Sequence, residues 1–196
     1  MSQPRAAHRT LILSGSLRTG SVTTQVTYVA LARARPDHET VLATGPETLP
    51  LFNEDLDTDR VLPQVGSLRT QVHAADSLLI LSPVNNAGIS AVLKNALDWL
   101  SRPRGDSPLT AKPVTSLMIS YHSQGAEHHL NTVLRATGAT VVTSPLPMLG
   151  LRTIDQRGVR RDPRVNTAVE HALSCLLTPG PVRQQPFPER LLGVVY

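Results

Sequence analysis

The chain alternates short apolar runs with longer segments in which apolar residues recur every three or four positions. Short apolar runs bounded by Gly, Pro or Ser predict β-strands, and the longer periodic segments predict helices. Strands are predicted at residues 10–15, 39–43, 78–82, 114–120 and 140–142. Helices are predicted at residues 22–34, 61–75, 91–100, 126–136 and 163–177, with Gly138 as the C′ residue after the fourth helix.

Strict alternation of strands and helices is typical of βαβ units, in which right-handed crossovers produce a parallel sheet. We therefore expect a flavodoxin-like, doubly wound α/β fold with helices on both faces and five parallel strands in the order 2-1-3-4-5. Residues 1–178 form the expected domain. Residues 179–196 contain four prolines and are expected to form no regular element, and to be mobile or packed on a partner subunit.

Ligands of such sheets bind beyond the carboxyl ends of the strands, where the strand order reverses. The candidate site therefore consists of the loops that follow strands one, three and four, at residues 15–23, 83–88 and 121–125.

The first of these loops has the features of a phosphate site. Unpaired N–H groups at a helix start carry partial positive charge and attract an anion. Arg18 adds a full charge, and Gly15 and Gly20 allow the backbone to turn tightly and approach a ligand. The expected phosphate-binding residues are Ser16, Arg18, Ser21, Val22 and Thr23. The alternative is an ordinary strand-to-helix turn in which Ser21 is only the N-cap.

Two better-known phosphate loops do not match. Gly15 and Gly20 have the spacing of a P-loop, but Ser21 and Val22 follow where that motif requires Lys and Ser or Thr. The Gly-x-Gly-x-x-Gly pattern of dinucleotide-binding loops is also absent from this turn. A single terminal phosphate, such as that of FMN, fits the remaining donors best.

The charge and aromatic content of the chain limit the classes of molecule that it is expected to bind. The net charge is +4 and the pI is about 9.8, but aromatic residues make up only 3% of the chain, which argues against base stacking and thus against nucleic-acid binding. The local basic cluster is expected to be a solvated or subunit-facing surface: Arg152, Arg157, Arg160, Arg161 and Arg164.

No apolar run is long enough for a membrane span, and the N-terminus lacks a signal-peptide pattern, so we expect a cytoplasmic protein with no membrane partner. The single Cys175 excludes an internal disulfide and a cysteine-rich metal site. His128 and His129 are adjacent and therefore cannot form an i, i+4 metal pair, so no metal site is expected.

Two segments together resemble the NAD(P)H-dependent FMN reductases of flavodoxin-like fold, a family that includes quinone and chromate reductases. They are Gly15-Ser16-Leu17-Arg18-Thr19-Gly20-Ser21 and Val92-Leu93-Lys94-Asn95-Ala96-Leu97-Asp98-Trp99. The resemblance implies that FMN is the cofactor, that Ser16, Arg18, Ser21 and Thr23 hold its phosphate, and that NADPH or NADH is the co-substrate. It also implies a homodimer or homotetramer, with the helix of the second segment in a subunit interface.

By the same resemblance, the loop after strand three lies along the flavin ring, which assigns Pro83, Val84, Asn85, Asn86 and Ala87 to the cofactor site. Family members usually read Ser-Pro-Glu-Tyr-Asn-Gly here, so Val84 and Asn85 replace Glu and Tyr, and Ala87 replaces Gly. The loop after strand four adds Tyr121, His122 and Ser123 as cofactor-binding candidates. Tyr121 either replaces the missing aromatic side chain beside the flavin ring or only packs against neighbouring residues.

The expected function is an FMN-binding oxidoreductase in which NAD(P)H reduces the flavin, and the flavin reduces a quinone, free flavin or similar small acceptor. No side chain is assigned a catalytic role, because the cofactor carries the chemistry. Two alternatives stay open at this point. One is an FMN carrier or electron-transfer protein without NAD(P)H turnover, and the other is a flavin-binding tailoring enzyme of a biosynthetic pathway.

Overall fold

A twisted sheet with helices on both faces organises the computed structural model, which describes residues 7–58, 60–120, 125–150 and 158–177. The strands are β1 (His8–Ser14), β2 (His38–Leu42), β3 (Ser77–Asn85), β4 (Gly88–Ile89), β5 (Pro113–Ser120), β6 (Thr140–Val141) and β7 (Met148–Gly150). The helices are α1 (Val22–Leu31), α2 (Pro63–His73), α3 (Ala91–Leu100), α4 (Ala126–Ala136) and α5 (Pro163–Leu177). The predicted tail, residues 179–196, lies outside the described residues.

The main path of the sheet is β2-β1-β3-β5-β6, with all neighbours parallel. This confirms the predicted doubly wound fold and strand order. The predicted count of five strands was wrong, because the described residues contain seven.

The two additional strands have separate causes. β4 pairs antiparallel with the end of β3, so the third strand continues into a hairpin. β6 and β7 both pair with β5, one with its first residues and the other with its last, so the fifth position of the sheet is divided in two. Pro145 and Pro147 lie between the two pieces, and proline has no N–H to donate to a sheet.

Two apolar cores lie on opposite faces of the sheet. Alternate residues of one strand face opposite sides, so Leu11 and Leu13 pack toward α2, α3 and α4, while Ile12 packs toward α1 and α5. Leu78 to Leu81 of β3 are fully buried in the same alternation. Burial on both faces explains why the central strands are uniformly apolar in sequence.

Most helix ends follow from local chemistry. The bounds of α3, α4 and α5 agree with the predicted ranges, and Gly138 has a φ of 82° directly after the C-cap of α4, as a C′ glycine should. α1 ends at Leu31 rather than at residue 34, several residues before Pro36.

In the described part of the chain, no helix combines the length and apolar character that crossing a membrane requires.

Two side chains of α3 fix the loop that follows β2. The Asn95 side chain accepts a hydrogen bond from the Phe52 N–H at 2.7 Å and donates to the Pro50 carbonyl at 2.9 Å. The Trp99 indole N–H donates to the same carbonyl at 2.9 Å, and the Trp99 ring meets the Phe52 ring edge to face. These residues of the Lys94–Trp99 segment therefore have a structural role.

A buried polar cluster joins the amino ends of three strands. His8 Nε2 lies 2.9 Å from Ser77 Oγ, Ser77 Oγ lies 2.9 Å from Thr10 Oγ1, and Thr10 Oγ1 lies 2.8 Å from His38 Nε2. The two hydroxyl hydrogens supply two of these three contacts, so only one imidazole needs to donate through Nε2. With both imidazoles protonated, one hydroxyl hydrogen would have no acceptor in this chain of contacts.

This cluster should make stability depend on pH. Burial, followed by the charges of His8 and Arg35, lowers the pKa of His38, against a smaller opposite effect of Asp37. The unfolded chain therefore binds more protons than the folded one as the pH falls below the ordinary histidine value of 6.5, and the free energy of unfolding should decrease there.

His38→Gln should reduce the slope of unfolding free energy against pH by up to one proton, or about 1.4 kcal/mol per pH unit, between pH 6.5 and 5. Urea unfolding at several pH values measures this slope. His128→Gln, at an exposed position of α4, is the control and should keep the wild-type slope. An unchanged slope in His38→Gln would contradict the assignment.

Candidate functional site

A cavity of about 720 Å³ lies at the carboxyl ends of β1, β3 and β5. Its walls come from the β1–α1 loop, the first turn of α1, the β3–β4 hairpin, the start of α3 and the end of β5. Among the residues that the structure describes, the lining contains one ionisable side chain, Arg18, and no carboxylate. The cavity is therefore suited to an anionic ligand.

Ten of the thirteen residues predicted as cofactor-binding line this cavity: Ser16, Arg18, Ser21, Val22, Thr23, Pro83, Val84, Asn85, Asn86 and Ala87. The other three, Tyr121, His122 and Ser123, lie outside the described residues. The structure therefore brings together the predicted loops at residues 15–23 and 83–88. Their contacts with a cofactor stay a prediction.

Sequence reasoning missed several lining residues, namely Leu17, Ser90, Ala91, Val92, Ile119 and Ser120. Ser90 had a detectable signal, since a serine immediately before an apolar helical pattern is a typical N-cap. Ile119 and Ser120 end a predicted strand at the ligand-binding edge, so the same topological rule could have included them.

Gly15 allows the two sides of the cavity to approach each other. Its N–H donates to the Leu81 carbonyl at 2.8 Å, which holds the end of β1 against β3. A Cβ atom at this position would lie 2.8 Å from Ser90 Oγ and 3.2 Å from Pro83 Cδ. The absence of a side chain is therefore a steric requirement of the cavity floor.

The hydroxyl groups of the β1–α1 loop form a directed chain. Thr24 Oγ1 donates to the Arg18 carbonyl at 2.8 Å, so Ser21 must donate to Thr24 at 2.9 Å, and Ser16 must donate to Ser21 at 2.8 Å. Ser21 Oγ also accepts from the Thr24 N–H, which confirms that Ser21 is the N-cap of α1. The hydrogens of Ser16, Ser21 and Thr24 are therefore already engaged within the loop.

Other donors remain available for an anion. The Val22 and Thr23 N–H groups have no acceptor among the described residues, as expected for the first turn of a helix. The buried Thr23 hydroxyl and the exposed Arg18 guanidinium likewise have no hydrogen-bond or ion-pair partner in the described ranges. Two amides, one hydroxyl and one guanidinium are a suitable donor set for a phosphate monoester.

The β3–β4 hairpin holds two non-glycine residues in the left-handed region. Val84 pairs with Ile89 and Asn85 with Gly88, which leaves Asn86 and Ala87 as a two-residue turn with φ values of 49° and 62°. Such turns favour Asn followed by Gly, because both central residues need positive φ. Asn86 suits its position, whereas Ala87 carries a Cβ that this conformation disfavours.

Ala87→Gly should relieve this strain and raise the free energy of unfolding by about 0.5–1 kcal/mol. The gain is limited because glycine also increases the entropy of the unfolded chain. Denaturant unfolding of the two proteins measures the difference. As a control, Ala136→Gly in the last turn of α4 should destabilise, since that residue is helical. Destabilisation by Ala87→Gly would contradict the interpretation.

Comparisons with known proteins agree with this geometry. The family model described as NADPH-dependent FMN reductase matches residues 8–152. The chain is 31% identical over 173 residues to the NAD(P)H-dependent FMN reductase PA1204 of Pseudomonas aeruginosa, covering 86% of this chain and 92% of that protein. It is 34% identical to a quinone reductase of Escherichia coli, covering 71% and 76%.

Solved structures share the fold at lower identity. The flavoenzyme NAD(P)H:(acceptor) oxidoreductase FerB of Paracoccus denitrificans has a TM-score of 0.66 and 21% identity, covering 86% of this chain and 98% of FerB. An FMN-dependent NADH-azoreductase of Bacillus anthracis in complex with FMN has a TM-score of 0.59 and 14% identity, covering 86% and all of that chain.

Proposed function

This chain belongs to the NADPH-dependent FMN reductase family, and from that premise we propose that it binds FMN in the 720 Å³ cavity and uses NAD(P)H to reduce a quinone, free flavin or similar small acceptor. The observation that carries the proposal is the set of ten predicted residues around one cavity without carboxylates. When bound in this cavity, FMN would supply the hydride-transfer chemistry between the nicotinamide and the acceptor.

The protein's part is to bind and orient the cofactor. The Val22 and Thr23 N–H groups, the Thr23 hydroxyl and Arg18 would hold the phosphate at the start of α1. Ser16 could join them by turning its hydrogen from Ser21 to the phosphate, while Ser21 continues to cap the helix. The phosphate would thus be fixed by a preformed helix end.

The β3–β4 hairpin is the proposed wall for the flavin ring. Val84 and Asn85 end a strand that pairs with β5 as far as Pro83 and with β4 at Val84 and Asn85. A wall built this way keeps its position without a bound ligand. Val84 puts an apolar side chain where the family resemblance leads one to expect glutamate, and Asn85 puts an amide where it leads one to expect tyrosine.

The first test is cofactor content and turnover. Purified protein should show flavin absorbance between 350 and 500 nm, or acquire it with added FMN, and should oxidise NADPH or NADH in the presence of menadione. Failure to bind FMN would overturn the proposal. FMN binding with nicotinamide oxidation at background would favour the alternative of a flavin carrier.

Arg18→Ala should weaken FMN binding by roughly tenfold, because one charge-assisted contact with the phosphate is lost at an exposed position. Riboflavin, which lacks the phosphate, should bind both proteins equally. Fluorescence titration with each flavin gives the two dissociation constants. Arg135→Ala, at the last turn of α4 and away from the cavity, is the control. Equal FMN affinity in Arg18→Ala and wild type would rule out this role.

We also propose that the protein acts in the cytoplasm as a homodimer or homotetramer. The support is the family resemblance and the polar face of α3, where Lys94 and Asp98 form an ion pair at 2.6 Å that stays partly exposed in the monomer. Light scattering of the flavin-loaded protein would give the number of subunits.

A further inference from the structure

Ser90 is a buried hydroxyl in the cavity wall that no sequence argument assigned to the site. It is 4% exposed and is the N-cap of α3, where Ser90 Oγ accepts a hydrogen bond from the Leu93 N–H at 3.4 Å. Capping uses one lone pair of the oxygen and leaves the hydroxyl hydrogen uncommitted.

That hydrogen has no acceptor among the described residues. Several other buried hydroxyls do donate, namely Thr27 to the Thr23 carbonyl, Thr40 to the Leu31 carbonyl and Ser107 to the Leu100 carbonyl, whereas the Thr115 hydroxyl, which is not in the cavity lining, has no partner among the described residues. A buried donor without an acceptor is unfavourable by about 1–3 kcal/mol, so an unpaired one in a cavity wall points to a ligand that accepts a hydrogen bond.

Gly15 shows where the Ser90 hydroxyl lies. A Cβ on Gly15 would come within 2.8 Å of Ser90 Oγ, so the hydroxyl occupies the gap between the end of β1 and the start of α3 at the cavity floor. The hydrogens of Ser16 and Ser21 are engaged in the loop chain, whereas Thr23 at the start of α1 and Ser90 at the start of α3 keep uncommitted hydroxyl hydrogens in the lining.

We propose that Ser90 donates its hydroxyl hydrogen to an oxygen or nitrogen acceptor in the non-phosphate part of bound FMN, and so positions the flavin against α3. This inference rests on the proposed function. The phosphate has its own donors at the start of α1, whereas Ser90 belongs to the start of α3, together with Ala91 and Val92.

The test is flavin affinity of Ser90 variants, measured by fluorescence titration with FMN and with riboflavin. Ser90→Ala should weaken binding of both flavins by about three- to tenfold, since the contact does not involve the phosphate. Ser90→Thr keeps the hydroxyl and should bind within about twofold of wild type. Ser101→Ala removes a hydroxyl at the other end of α3, where it donates to the Asp98 carbonyl, and should leave both affinities unchanged.

A capping role alone would produce a different pattern. Aspartate is as good an N-cap as serine but has no hydrogen to donate at neutral pH. Ser90→Asp should therefore still cap α3, although its buried carboxylate lowers the thermal stability of the flavin-free protein, and should bind both flavins more weakly than Ser90→Ala. Wild-type affinity in Ser90→Asp would show that only the cap matters and would overturn the proposal.

The remaining outcomes are also decisive. Equal flavin affinity in Ser90→Ala and wild type would overturn the proposal, and a loss confined to FMN would overturn it too, because the contact would then be with the phosphate. Absence of FMN binding by the wild-type protein would instead refute the proposed function itself. The two failures are therefore distinguishable.

Discussion

The close approach of β1 to β3 and α3 at Gly15 is the constraint on which the site depends. The Gly15 N–H bonds to the Leu81 carbonyl, and the space of a side chain is occupied by Ser90 Oγ and Pro83 Cδ. This contact brings the start of α1, the β3–β4 hairpin and the start of α3 around one cavity. A larger residue would separate the phosphate-binding turn from the rest of the site, even if the sheet below stayed intact.

The sequence allowed the sheet and the loops at residues 15–23 and 83–88 to be placed, because both depend on local patterns. Buried strands are continuously apolar, Ser21 caps a helix, and topology puts strand ends together. The strand count was wrong because the split at Pro145 depends on pairing with β5, and because the turn at Asn86 and Ala87 lacks the Asn-Gly pair that usually signals a hairpin. The direction of the hydroxyl chain from Ser16 could not be predicted either, since it depends on distances between side chains.

Arg18 gives the described part of the cavity lining a positive charge. Two acidic residues of the segment after β2 already have cationic partners, Asp57 with Arg69 at 3.1 Å and Glu54 with Arg102. Arg18 has no such partner among the described residues and stays exposed at the cavity entrance. A carboxylate facing Arg18 would compete with a phosphate for the same donors, so the absence of acids from the lining favours anion binding.

The two segments that carry the family resemblance have different physical roles, and this bears on specificity. In the Val92–Trp99 segment, the Asn95 and Trp99 side chains donate hydrogen bonds to the Pro50 carbonyl. Sequence similarity in this segment therefore indicates a shared loop geometry and no shared chemistry. The hairpin at Val84 and Asn85 departs from the family pattern while lining the cavity. If the turn at Arg18 binds the FMN phosphate as proposed, the hairpin would contact the flavin ring, and a difference in acceptor range from the relatives should originate in the hairpin.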